Sequence, residues 1–447
     1  MKKKISLWFI STVIAVSSYA QDTLSLKQCI GYGLQNHLSI KVYENNIRKT
    51  QAQAQENYSG YLPQISANGQ FTDNLKLQTT VLPAGVFGPT EEKIQFGTRY
   101  TTTVSGEIDQ TLYDQTLITA FKELSPGLES AKLNAAQNEE TVIYNISNYY
   151  YQAQVYKQQL ALLYENQIKY EKLQQITKLQ IDKGVAKKVD GSRIEVNLNN
   201  TKSQISQTQN SYDLMLNRLK NAMGMAMNQP LLISVSIPDG TGALSNIPGL
   251  GDEFRPENRA DFKSEMLNIT IQYQEKQRVL AGYAPKLTAY AQLGAQAFGN
   301  QFDQSFKDWY DYSAIGLKLQ VPIFDGLYKR AKTNEAKVTL DNAKKNLELD
   351  RQSFSLDYQN STNQLKSNSD NVENDKQNLA LAREVYSNTT LQYQEGTATL
   401  TDLLNDESSL KNAQTNYVTS LLNYYIAKLN LEKSKGTLKN YYQSLNK

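Results

Sequence analysis

Gly60-Tyr61-Leu62-Pro63 followed by Gln64-Ile65-Ser66-Ala67-Asn68-Gly69-Gln70-Phe71-Thr72 is the stretch whose reading decides the fold. Glycine and proline stop whatever helix precedes them. Behind them Ile65, Ala67, Gly69 and Phe71 share one parity and Gln64, Ser66, Asn68, Gln70 and Thr72 the other, as in a strand with one apolar and one polar face. Gly-Tyr-x-Pro returns 222 positions later as Gly282-Tyr283-Ala284-Pro285. There Leu287, Ala289, Ala291, Leu293, Ala295 and Ala297 alternate with Thr288, Tyr290, Gln292 and Gln296. Each segment has a partner. Arg99 to Leu112 sets Tyr100, Thr102, Val104, Gly106, Ile108 and Leu112 against polar neighbours, and a second partner carries Ile315, Leu317, Leu319, Val321 and Ile323.

A half-buried sheet in a soluble protein alternates in the same way. Strand length tips the reading towards a membrane barrel, because these segments reach the span of about 9 to 11 residues needed to cross a bilayer. Tyr61, Phe298, Trp309 and Tyr310 near the strand ends are placed for an interfacial belt. Four strands cannot close a barrel, since the smallest have about eight, and hydrocarbon does not tolerate open sheet edges. The chain is therefore expected to oligomerise, with eight strands for a dimer or twelve for a trimer. Asn74 to Gln95 and Gly299 to Asp308 become external loops, the first mobile because of Pro83, Gly85, Gly88 and Pro89.

Outward from the hairpins, the same order of elements recurs: a helix (Leu26 to Asn57; Asn258 to Leu280), a hairpin, then two long helices meeting at Gly184 or Gly396. Gly184 and Gly396, Asp190 and Asp402, and Gly224 and Gly436 are each 212 positions apart, so the hairpin of the second copy is about ten residues shorter. Leu403, Leu410, Tyr417, Tyr424 and Leu431 recur every seven residues, as do Leu198, Ile205, Tyr212 and Leu219. Tyr358, Leu365, Val372, Leu379, Tyr386 and Tyr393 keep the same period. Sustained heptads make coiled coils, and Lys329 to Glu395 as one helix extends about 100 Å. Helices alone would also fit a soluble rod, which leaves the strands unexplained.

The N-terminus reads as a secretory signal: Lys2-Lys3-Lys4, an apolar stretch from Ile5 to Val16, then Ser17-Ser18-Tyr19-Ala20, cut before Gln21. The mean hydropathy of -0.56 is that of a polar chain, and a net charge of +3 gives no reason to expect nucleic acid. Cys29 is the only cysteine and His37 the only histidine, which removes an intramolecular disulfide, His-based triads and multi-histidine metal sites. Cys29 reads as a small semi-buried residue, and His37 as a polar residue in the first helix beside Asn36. Met223-Gly224-Met225-Ala226-Met227 offers soft ligands for Cu(I), against the plainer reading of methionines filling a helix end. No catalytic residue, cofactor site or metal site is expected.

This layout resembles the TolC-like outer-membrane efflux protein family over nearly the whole mature chain, from Leu24-Ser25-Leu26 and Gly31-Tyr32-Gly33-Leu34 to Leu429-Asn430-Leu431. The resemblance implies an α+β membrane protein whose four transmembrane strands per chain join a trimeric twelve-stranded barrel, continued by a helical periplasmic tunnel. Residues 1–20 are then the signal peptide, 21–230 the first repeat, 231–254 an equatorial linker, 255–436 the second repeat and 437–447 an equatorial tail. It further implies an outer-membrane location in contact with lipid, a periplasmic adaptor and an inner-membrane pump as partners, and an efflux duct opened at its periplasmic tip. The alternatives are the duct of a type I protein secretion system and a periplasmic coiled-coil scaffold without a pore. The family's tip lies at Gly184 and Gly396; Asp190 and Tyr393 fall where it places a gate link, and Asp402 on its first acidic ring. The second ring position is Asn405, with Asp406 adjacent, and Ala398 stands where the family has a gate arginine, so fewer charges surround the expected gate.

Overall fold

The computed structural model describes residues 23–85, 88–234 and 254–445. The signal segment and residues 235–253 of the 231–254 linker lie outside them. Among the described residues the chain forms two compact units, one of residues 23–41, 137–234, 254–259 and 353–445 and the other of 42–136 and 260–352. The chain is predominantly helical, with a smaller β part.

In the second unit, α2 (Leu38–Ser59) runs into β1 (Gln64–Asp73), and α5 (Ala260–Ala281) into β5 (Lys286–Gly299). With β4 (Tyr100–Asp114) and β6 (Trp309–Gln320) they form one antiparallel sheet in the order β1-β4-β5-β6. The register puts like with like: Ile65 faces Ile108, Ile108 faces Ala291, and Ala291 faces Ile315. One apolar face thus runs across all four strands. Away from the loop end, where Thr102 and Ala297 are buried, it is open, with Ile315 88% and Ile65 77% exposed. On the polar face, Tyr312 lies against Gly294 and Tyr290 against Gly316, where a Cβ would come within 2.7 and 2.8 Å of the rings. Each glycine makes room for its cross-strand aromatic partner.

Three expectations are adjusted here. Leu112 does not continue the apolar parity: the β4–β5 register shifts between Thr111 and Tyr113, and Tyr113 takes the place opposite Leu287. Such an insertion bends a strand and moves later side chains to the other face. The loop from Asn74 to Gln95 contains its own hairpin, β2 (Thr79–Leu82) paired with β3 (Glu92–Gln95). The loop from Gly299 to Asp308 holds a 3-10 turn at Phe302–Phe306, whose two phenylalanines pack against Phe71.

The first unit is helical. It contains α1 (Leu26–Asn36), parts of α3 (Gln115–Asp182) and α6 (Tyr328–Gln394), the whole of α4 (Lys188–Met223) and α7 (Leu400–Lys435), and α8 (Leu438–Ser444). The heptad residues form its seams: Leu198, Leu219, Leu365, Val372, Leu403, Leu410, Tyr424 and Leu431 are all buried. Burying a leucine or valine side chain contributes about 1.5–3 kcal/mol, so such a seam stabilises helices whose outer faces are polar. The first expected helix is broken at His37, which leaves helical geometry and bonds through Nδ1 to Ser39 Oγ at 2.7 Å. The break lies where Gly224 packs against it, for a Cβ on Gly224 would come within 2.8 Å of His37 Cα. Cys29 is fully buried, and burial pushes its thiol up to about 12. Met223 is also fully buried and Met227 more than half exposed, so the methionine run is split between core and surface. The expected C-terminal tail is helical, with Leu438 and Tyr441 buried and the Tyr441 hydroxyl 2.6 Å from that of Tyr151.

Candidate functional site at the inter-helix turns

The turns joining α3 to α4 and α6 to α7 are built alike. Gly184 N donates to Ile181 O, and Val185 N and Ala186 N both to Gln180 O; Gly396 N donates to Tyr393 O, and Thr397 N and Ala398 N both to Gln392 O. Both glycines are left-handed, at φ 75° and 77°, with no atom of the described residues within 4 Å of the space a Cβ would fill. This is a helix C-terminal closure in which the last orphan carbonyls are met by the turn itself.

The helices that follow start differently. In α7, Thr399 caps the first turn: Asp402 N donates to Thr399 Oγ1 at 3.2 Å, and Thr399 N donates back to Asp402 Oδ2 at 3.1 Å. Asp402 also accepts the Thr399 hydroxyl at 2.6 Å, and that bond holds its carboxyl below the usual carboxylate range. In α4 the cap position is Lys187, which has no side-chain acceptor, and Asp190 accepts only a 3.4 Å bond from Lys187 N. The Asp190 carboxylate meets Arg193 at 3.5 Å instead, and Arg193 Nη1 also donates to Thr401 Oγ1 at 3.2 Å. Arg193 thereby ties the start of α4 to the start of α7.

Asp190 and Tyr393 have separate partners within the chain: the Tyr393 hydroxyl lies 3.5 Å from Gln180 Oε1. Asn405 is exposed, and its neighbour Asp406 accepts the Thr389 hydroxyl of α6 at 2.5 Å. Ala398 is partly buried and supplies no charge. Nothing in the sequence pattern marks Thr401 or Gln180 as partners at these turns. The only local sign was Arg193 three positions after Asp190, the spacing of neighbours on a helix face.

With this geometry in place, comparison with known proteins identifies the class. The chain matches the family described as outer membrane efflux protein over residues 30–225 and 258–437, and it belongs to that family. Its place is the outer membrane, and its class is an efflux channel. Among curated relatives, the alkaline protease secretion protein AprF of Pseudomonas aeruginosa is 20% identical over 356 residues, covering 76% of this chain and 70% of that protein. Among solved structures, the outer membrane protein VceC from Vibrio cholerae is similar with TM-score 0.71 at 17% identity, covering 92% of this chain and 96% of that one. The Campylobacter jejuni CmeC outer membrane channel is similar with TM-score 0.71 at 16% identity, covering 99% and 97%.

Proposed function

We propose that three copies of the chain close one twelve-stranded barrel and continue it as a helical periplasmic tunnel, the passive exit duct of a tripartite efflux system. The observation that carries this is the sheet: strands β1 and β6 are its edges, and its apolar face is open away from the loop end, as at Ile65 and Ile315. In hydrocarbon such edges must be paired. A neighbour's β1 beside β6 does so, and the apolar face then meets lipid. A pore-free scaffold leaves that face without a role.

The repeats at 21–230 and 255–436 are read as two copies of one ancestral unit, with 231–254 and 437–447 as an equatorial belt. The Gly184 and Gly396 turns are read as the periplasmic tip, where Asp190, Tyr393, Asp402 and Asn405 form the gate, opened by a periplasmic adaptor and an inner-membrane pump. A Tyr393–Asp190 contact is then one between neighbouring copies. Use as a type I secretion duct is the second reading, and the name of the AprF relative is what supports it.

The assembly is tested by electrophoresis of the detergent-extracted protein with and without heating. A heat-sensitive band at three times the chain mass is expected, and a monomer in both lanes overturns the barrel. The gate is tested by conductance in planar bilayers. Asp190→Ala and Tyr393→Ala are expected to raise closed-state conductance severalfold, and unchanged values remove these residues from the gate.

A further inference from the structure

The seam of α7 is interrupted by charge. Glu407 stands between Leu403 and Leu410 and is only 6% exposed. Its Oε1 is buried and has no hydrogen-bond partner among the described residues, and the nearest polar group acting on the carboxyl is the Tyr170 hydroxyl. Burial raises the carboxyl pKa, and Lys169 and Lys411 partly offset this. A buried carboxylate oxygen left unpaired is costly. A donor brought to this oxygen would relieve that cost.

That place has room. A cavity of about 350 Å³ opens beside Glu407, walled by Tyr170, Tyr386, Tyr393, Leu173 and Leu403, within the size range of about 300–1,000 Å³ for small-molecule sites. Its aromatic faces favour cations, and the chain demonstrates this itself: the Lys169 ammonium lies 5.5 Å from the centre of the Tyr386 ring. Lys169 is exposed and its stem is flexible, as is that of Lys172 at the rim. The lysine head can leave the ring to water while a better-fitting cation takes its position.

We propose that this cavity binds a small aromatic cation bearing N–H donors, such as an amidinium or ammonium compound, with Glu407 as its charged acceptor and the tyrosine rings as its walls. All of its residues belong to one chain and one compact unit, so the proposal does not depend on the barrel. The site shares Tyr393 with the proposed gate but takes in neither Asp190 nor Asp402.

The probe is benzamidine, titrated calorimetrically into the full-length detergent-solubilised protein, with benzoate as a control of opposite charge. Saturable binding of one benzamidine per chain and none of benzoate is expected. Glu407→Gln should weaken binding by at least about tenfold, the loss of one charge-assisted hydrogen bond. Lys169→Gln should tighten it severalfold by removing the internal competitor, and because Lys169 is exposed this variant does not depend on refilling a buried position. Absence of saturable binding, equal binding of benzoate, or unchanged affinity in Lys169→Gln overturns the proposal.

Discussion

Helices α4 and α7 are each 36 residues long and each begins at an open turn and ends at a closed one. At the start, Gly184 and Gly396 have no atom of the described residues within 4 Å of a would-be Cβ. At the far end, Gly224 and Gly436 are also left-handed, at φ 69° and 70°, but a Cβ there would come within 2.8 Å of the backbone of His37 and Arg259. The same residue type serves two purposes. At the far ends it lets two backbones touch; at the turns it only lets the chain reverse. A side chain is therefore cheap to add where the helices reverse and costly where they terminate.

The sharpest way to break that contrast is by alanine at the four glycines. Gly224→Ala and Gly436→Ala combine backbone overlap with a left-handed alanine, and each is expected to destabilise the fold by more than about 3 kcal/mol. Gly184→Ala and Gly396→Ala carry only the conformational cost of about 1 kcal/mol. Thermal unfolding of the four variants reads the difference, and equal losses at both ends would defeat the distinction. Next in size is the cap. Thr399→Ala is expected to lower amide-exchange protection in the first turn of α7 about fivefold, whereas Lys187→Ala leaves α4 unchanged because Lys187 supplies no cap.

The smallest effect is one of pH. The folded-state pKa of Asp402 is depressed by Thr399, so its contribution is present above the unfolded value, about 3.9, and is lost as pH falls through the folded value. Amide exchange at the start of α7 should therefore be flat from neutral pH to about 4 and quicken below it, relative to intrinsic rates. In Asp402→Asn that acid transition should be missing; its persistence would assign the protection to another group.

Much of this was readable from periodicity. The strand parity around Ile65 and Leu293 and the seven-residue spacing from Leu403 to Leu431 correspond to side chains on one face, and both survive folding because each depends only on the geometry of its own element. What escaped depends on the meeting of distant segments. The break at His37 packs against Gly224, nearly two hundred positions away, and the shift after Thr111 lies in the pairing with β5. The Arg193–Thr401 tie spans two helices that do not adjoin in sequence. Glu407 is the exception, because a carboxylate four residues after Leu403 and three before Leu410 marks a charge on the packing stripe in sequence alone.

Cys29 has a practical consequence for experiment. As the only thiol in the chain, fully buried and pushed up to about 12, it offers almost no thiolate to a reagent at neutral pH. The native protein is thus a blank background for site-directed labelling. A cysteine introduced at exposed Val185, beside the first turn, would carry a spin or fluorescent reporter without first engineering the chain free of its own sulfhydryl.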